Sequence, residues 1–167
     1  MKKFSQHWVD LDHGTLHQVP KIWQPWVSDT GSFTQLLAYR IGQPISVSVI
    51  HDGRQTVAED EQALFAQTVV RCRIREVFLC ANDTPVVMAR SVLPTYSATR
   101  MNRDLLRIGS KPLGEVLFAK KKAPIIRRQI TEIPNLGWGR RTLYQLRGHP
   151  ILITEILLPE LVDQITN

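Results

Sequence analysis

The chain has 167 residues, of which 43% are hydrophobic and 22% are charged, as is typical of a globular protein with a core of its own. We therefore expect one domain over residues 1–167. No apolar run is long enough to span a membrane, and the N-terminus has no apolar signal segment, so the expected location is the cytoplasm.

The net charge of +6 favours an anionic partner, either a nucleic acid or a small polyanionic metabolite. The positive charge is spread along the chain, and the sequence has no helix-turn-helix pattern, zinc spacing or strand of stacking aromatics. We therefore expect no nucleic-acid partner. Nothing in the sequence predicts an obligate interface, so we expect a monomer.

Helical patterns come first in chain order. Residues 33–40 have helical spacing, with Ser32 as a capping residue and Gly42 as the end. Residues 44–50 then alternate as a strand, and residues 51–54 predict a turn. A short helix is expected within residues 58–67.

Strands dominate the remainder. Residues 70–80 and 86–94 predict two strands that form an antiparallel hairpin. Two short helices follow, at residues 102–108 and 110–118. Three further strands are expected at residues 125–133, 140–147 and 151–158. This order predicts an α+β fold with a single, mostly antiparallel β-sheet.

Two cysteines, Cys72 and Cys80, lie in one predicted strand. Eight residues of extended chain span roughly 26 Å, which is too far for a disulfide between them. We interpret both as small buried hydrophobic residues.

Three charged side chains stand on apolar strand faces. Glu155 lies in the most apolar stretch of the chain, and Arg75 and Arg90 lie in the two strands of the hairpin. A buried carboxylate is costly unless it is paired or protonated. The pattern therefore predicts either a pocket that holds an anion or a buried Arg–Glu pair that holds the sheet together.

Common catalytic signatures do not occur. The sequence has no phosphate-binding loop, dinucleotide fingerprint or nucleophile elbow, and its five histidines have no metal-ligand spacing. If the protein is an enzyme, we expect that it uses neither a metal nor an organic cofactor.

Five segments, taken together and in order, resemble the chorismate pyruvate-lyase family of ubiquinone biosynthesis. They are IREVFLC at 74–80, ARSVLP at 89–94, GSKPLG at 109–114, GWGRR at 137–141 and PILITE at 150–155. Judged by itself, the GWGRR segment is more typical of a loop with a packed tryptophan than of chemistry.

The resemblance implies a lyase, independent of cofactors, that eliminates pyruvate from chorismate to give 4-hydroxybenzoate. It also implies an antiparallel sheet with helices and flaps that cover an enclosed ligand cavity. Arg75 matches the arginine that holds the ring carboxylate, and Glu155 matches the carboxylate that faces the ring hydroxyl. Leu113 matches a backbone contact, and Phe33 matches a flap contact that is methionine in the best-known member.

Arg90 lies within one of the matching segments. Its position on an apolar strand face leads us to expect that it binds the second carboxylate of chorismate.

The alternative function is a non-catalytic sensing domain of the same fold, which binds an aromatic carboxylate without converting it. Transcription regulators with this fold carry a DNA-binding helical domain before the sensor, and the residues ahead of Ser32 are too few for one. The sequence therefore favours the lyase.

Overall fold

The computed structural model of the chain describes residues 7–69, 71–98, 100–119 and 121–166. Val70, at the expected start of a strand, lies outside the described residues, as do Met1 to Gln6. The strands are β1 (Val9–Asp10), β2 (Ile45–Gln55), β3 (Cys72–Ala81), β4 (Thr84–Pro94), β5 (Ile125–Ile133), β6 (Gly137–Leu146) and β7 (His149–Leu157).

Short helices connect and cover the strands. They are α1 (His13–Gln18), α2 (Gln24–Ser28), α3 (Phe33–Ile41), α4 (Glu59–Gln62), α5 (Gly114–Leu117) and α6 (Glu160–Thr166). Two 3₁₀ segments, Thr95–Ser97 and Arg100–Arg107, precede α5. No helix in the described part of the chain has the length and apolar composition needed to cross a membrane.

All seven strands form one antiparallel sheet in the order β1-β5-β6-β7-β4-β3-β2. The expected α+β fold with an antiparallel sheet is thereby confirmed. The β3–β4 hairpin turns at Asn82 and Asp83, which both have positive φ angles, as a tight hairpin turn requires.

The register of the strands defines two faces of the sheet. Ala89, Glu155 and Arg140 lie opposite one another on β4, β7 and β6, so their side chains share one face, called here the front face. Arg90 and Thr154, one position along the same strands, lie on the opposite face, called here the back face. A shift of one residue therefore decides which face a side chain occupies.

The front face carries most of the covering elements. Apolar residues of α2, α3 and α6, such as Trp26, Leu37 and Leu161, pack there against strand residues that include Val87 and Leu157. A second cluster joins the 3₁₀ segment and α5 to β6 and β7. The back face is covered near its centre by α4 and the residues after it.

Two local expectations were wrong. Residues 51–54 do not form a turn, because β2 continues to Gln55 and stays paired with β3, with a β-bulge between Val49 and His51. Ser32 precedes α3 as expected, but its side chain makes no capping hydrogen bond. Gly42 ends α3 with a φ angle of 74°, the left-handed conformation that favours glycine.

Candidate functional site

A cavity lies between the front face and two covering segments, the start of α3 and residues 111–118. The space between protein atoms, its mouth included, is about 580 Å³. Arg75, Glu155, Phe33 and Leu113 all line this cavity. The fold thus brings together four residues that are far apart in sequence.

Arg75 lies on β3 with its side chain on the front face, and only 7% of the residue is exposed. Its Nη1 lies 3.3 Å from a carboxylate oxygen of Asp52, and its Nη2 donates to the carbonyl of Lys111 at 3.3 Å. Asp52 has a shorter bond, 2.6 Å, to Arg73. Because a guanidinium has five N–H donors, Arg75 retains donors for a ligand carboxylate.

Glu155 on β7 is paired with Arg140 on β6. The Nε of Arg140 donates to Oε2 of Glu155 at 2.5 Å, and its Nη1 donates to the carbonyls of Trp26 and Asp29, both at 2.9 Å. Arg140 is fully buried. Burial acts to lower the pKa of Arg140, but the Glu155 carboxylate outweighs burial and the pKa is raised. Arg140 therefore stays charged.

Glu155 forms a buried Arg–Glu pair, although its partner is Arg140 and not Arg75 or Arg90. The carboxylate belongs to a buried Arg–Glu pair, and it also lines the cavity. The hydrogen bond that the structure gives the carboxylate involves Oε2, which leaves Oε1 for a ligand.

Phe33 and Leu113 belong to the two covering segments. Phe33 begins α3, and its ring faces the guanidinium of Arg140 at 4.2 Å. Leu113 directly precedes α5. The N–H groups of Glu115 and Val116 donate to the carbonyls of Pro112 and Leu113, so the donors left for a ligand in this segment are those of Leu113 and Gly114. A Cβ on Gly114 would lie 2.8 Å from Oγ of Ser32, so the two segments are in close contact.

The expectation for Arg90 was wrong. Residue 90 borders the cavity, but its guanidinium lies on the back face. There it donates to Glu61 at 2.7 and 3.0 Å and to Glu76 at 2.7 Å. Arg90 does lie on an apolar strand face, as expected, but that face is not the one that carries Arg75 and Glu155. Arg90 is therefore part of a buried structural network rather than a ligand contact.

Sequence analysis missed Arg140, Arg128 and Tyr144. Arg128 on β5 donates from Nε to the Thr142 hydroxyl at 2.9 Å, from Nη1 to the Asp29 carbonyl, and from Nη2 to the Tyr144 hydroxyl at 3.3 Å. Tyr144 lines the cavity. Alternation along β6 places Arg140, Thr142 and Tyr144 on one face, which is a signal present in the sequence.

The GWGRR segment combines packing and charge. Gly137 has a φ angle of 126°, and a Cβ there would lie 2.9 Å from the carbonyl oxygen of Leu157, so only glycine fits. Trp138 packs against the apolar cluster of the front face. The packed tryptophan agrees with the expectation, but the segment is part of β6 and not a loop, and Arg140 is paired with the cavity residue Glu155.

Metal-ligating and thiol groups are dispersed. Within the described ranges, no group of three or more His, Cys, Asp or Glu side chains is arranged to hold a metal ion. Cys72 and Cys80 are unbridged and buried, and burial raises the pKa of both thiols.

Comparison with known proteins identifies relatives over most of the chain. Residues 6–167 match the family described as chorismate lyase. A probable chorismate pyruvate-lyase of Nitrosospira multiformis is 32% identical over 156 residues, which cover 83% of this chain and 87% of that relative. A chorismate pyruvate-lyase of Hamiltonella defensa is 33% identical over 138 residues, 80% of this chain and 76% of the relative.

The fold is also similar to that of a domain whose structure has been solved. The C-terminal domain of the histidine utilization repressor from Pseudomonas syringae pv. tomato superimposes with a TM-score of 0.52. The match covers 70% of this chain and 92% of that domain at 10% sequence identity. At that identity the likeness concerns the fold alone.

Proposed function

The chain belongs to the chorismate lyase family, and from this premise we propose how its cavity binds and converts the substrate. Its activity is the elimination of pyruvate from chorismate, which leaves 4-hydroxybenzoate. One observation carries the assignment of the site: Arg75 and Glu155 line the same buried cavity. The remaining steps concern the roles of individual residues.

We propose that Arg75 binds the ring carboxylate of chorismate. Its guanidinium is buried and is only partly satisfied by Asp52 and Lys111, at distances of 3.3 Å. A carboxylate that replaces one of these contacts gains two charge-assisted hydrogen bonds in a fixed plane. The backbone N–H groups of Leu113 and Gly114 supply further donors at the same end of the cavity.

We propose that Glu155 accepts a hydrogen bond from the ring hydroxyl. Arg140 fixes the carboxylate through Oε2, so that Oε1 remains for the ligand. The same contact is available to the hydroxyl of 4-hydroxybenzoate. Glu155 therefore orients the ring through substrate and product alike.

The reaction removes the hydrogen on the ring carbon that carries the hydroxyl and breaks the bond between the neighbouring ring carbon and the enolpyruvyl oxygen. The ring becomes aromatic, and the departing enolpyruvyl group gains a proton to become pyruvate. Aromatisation supplies the driving force, so the protein is required chiefly to orient the substrate and exclude water. Phe33 and Leu113 contribute to this exclusion because they line the cavity from the two covering segments.

We further propose that the enzyme acts as a monomer in the cytoplasm, where its product serves ubiquinone synthesis. Most exposed large apolar side chains of the described residues, such as Ile22, Tyr39 and Ile126, are far apart in the chain, and Val49 and Ile50 on β2 are the exception, which supports a monomer. A mass of twice 19.1 kDa by light scattering would refute the monomer.

The activity is tested by mixing the protein with chorismate in the presence of a metal chelator and measuring 4-hydroxybenzoate and pyruvate by chromatography. Equal amounts of the two products are expected. Binding of chorismate without turnover would instead indicate the sensing function, and absence of both would leave only the fold.

The role of Arg75 is tested by Arg75→Ala. We expect kcat/KM for chorismate to fall on the order of a hundredfold, because a charge-assisted contact in a buried site is lost. Arg73→Ala is the matched control, since Arg73 is the other arginine paired with Asp52. If both variants lose the same activity, the effect belongs to Asp52 and not to a carboxylate contact of Arg75.

A further inference from the structure

Tyr144 is a polar cavity residue to which the proposed mechanism gives no role. It lies on β6, lines the cavity, and has only 3% of its surface exposed. Its ring packs edge-on against Phe118 with centroids 6.2 Å apart. The ring is therefore held in place, and the position of its hydroxyl is fixed.

The hydroxyl of Tyr144 has two polar neighbours. It accepts a hydrogen bond from Nη2 of Arg128 at 3.3 Å, and the Thr142 side chain also forms a hydrogen bond with it. Because a hydroxyl both donates and accepts, and because Tyr144 lines the cavity, the group is placed to contact a polar part of a bound molecule.

Arg128 adds a positive charge behind this hydroxyl. Its guanidinium is buried and donates to neutral oxygens of Thr142, Tyr144 and two backbone carbonyls. No carboxylate of the described residues lies within ion-pair distance of it. A buried cation without a counter-ion favours an anion nearby.

The location of Tyr144 fits the second carboxylate of chorismate. Tyr144 on β6 is separated from Arg75 on β3 by β7 and β4, so about 14 Å of sheet lies between their strands. Tyr144 pairs with Ile151 on β7, four residues from Glu155 along that strand, and the side chains of Tyr144 and Glu155 both line the cavity. In chorismate the enolpyruvyl group is attached to the ring carbon beside the one that carries the hydroxyl, and its carboxylate extends away from the ring. A polar residue of the cavity wall other than Arg75 and Glu155 is therefore required to bind it.

We propose that Tyr144 and Arg128 form a second anion subsite for the enolpyruvyl carboxylate of chorismate, in which the Tyr144 hydroxyl donates the hydrogen bond. The subsite rests on the proposed function. It binds the carboxylate that Arg90 was first expected to bind. Donation from Arg128 to the phenol oxygen makes the O–H hydrogen a stronger donor.

The protonation state of Tyr144 is consistent with donation. Burial raises the pKa of the phenol, and the nearby Glu155 carboxylate raises it further. Tyr144 is therefore neutral near pH 7 and keeps its hydrogen.

The test is Tyr144→Phe, which removes one oxygen and keeps the ring that packs on Phe118. We expect KM for chorismate to rise roughly ten- to a hundredfold, the range for a lost hydrogen bond to a charged group. The inhibition constant of 4-hydroxybenzoate should stay within about twofold, because the product has no enolpyruvyl group. Unchanged product binding also shows that the variant has a folded cavity.

Tyr39→Phe is the matched control, since Tyr39 is 86% exposed on α3. It should alter neither constant. An unchanged KM in Tyr144→Phe, measured beside an active wild-type enzyme, would overturn the subsite and leave the lyase function standing. Equal weakening of chorismate and 4-hydroxybenzoate would also overturn it, since Tyr144 would then support the ring or its carboxylate. A wild-type protein that does not convert chorismate would overturn the function itself.

Discussion

Glu155 shows how one side chain serves both stability and ligand binding. Its partner Arg140 is fully buried, and the two form a 2.5 Å contact beneath the ring of Phe33. A buried ion pair contributes little net stability, but the loss of one partner leaves an uncompensated charge. The pair therefore fixes the geometry of the cavity, but it also makes the stability of the protein sensitive to substitution of either partner.

We expect Glu155→Ala to lower the free energy of unfolding by about 3–5 kcal/mol and to reduce turnover, because Arg140 loses its counter-ion. The double variant Glu155→Leu with Arg140→Met should recover most of the stability but none of the activity. Urea unfolding and chorismate turnover measure the two effects.

Glu132→Ala, at an exposed glutamate on β5, is the control and should change stability by less than about 0.5 kcal/mol. A double variant with wild-type turnover would show that Glu155 is purely structural.

At the scale of elements, α4 depends on the network around Arg90. This helix has four residues, too few to be stable in isolation. Arg90 joins Glu61 of α4 to Glu76 of β3, and Glu61 also accepts from the backbone N–H of Ala58. The network thus attaches α4 to the back face of the sheet.

We expect Arg90→Ala to destabilise the protein by about 3–5 kcal/mol, since two buried carboxylates lose their cation. Amide exchange in residues 59–69 should become faster, while KM for chorismate in the folded protein stays within about twofold. Urea unfolding, hydrogen exchange and steady-state kinetics give the three readouts. Arg54→Ala, at an exposed site on β2, is the matched control. A large rise in KM without loss of stability would indicate that Arg90 contacts the substrate and is not purely structural.

At the scale of the whole molecule, the charge of the protein suits its substrate. The net charge is +6, and chorismate is a dianion. A depression that shares Lys111 with the cavity is lined by four basic residues, Arg103, Arg107, Lys111 and Arg147, and by two acidic ones, Asp104 and Glu115. A net positive field beside the cavity raises the rate of encounter with an anion.

We therefore expect kcat/KM to fall roughly three- to tenfold between about 20 and 200 mM salt, because ions screen the field. The double variant Arg103→Gln with Arg107→Gln should show a weaker dependence, and Lys21→Gln, at an exposed lysine near α2, should not. Initial rates at low chorismate concentration measure the effect. Salt dependence of equal size in all three proteins would argue against steering by the basic residues of this depression.

The sequence determined the parts of this protein that depend on local periodicity. Alternation along strands gave the antiparallel α+β sheet, and it identified Arg75 and Glu155 as charged residues on apolar faces. The assignments of Phe33 and Leu113 came from the resemblance to the family, and both residues line the cavity.

Tertiary structure decided which face of the sheet each strand presents to the cavity. Alternation divides a strand into two faces but does not say which one is covered by α3 and residues 111–118, so Arg90 was placed on the wrong side. The pairing of Glu155 with Arg140, and of Tyr144 with Arg128, depends on the order of β5, β6 and β7. Those contacts join residues from separate strands, and no local pattern in the sequence contains them.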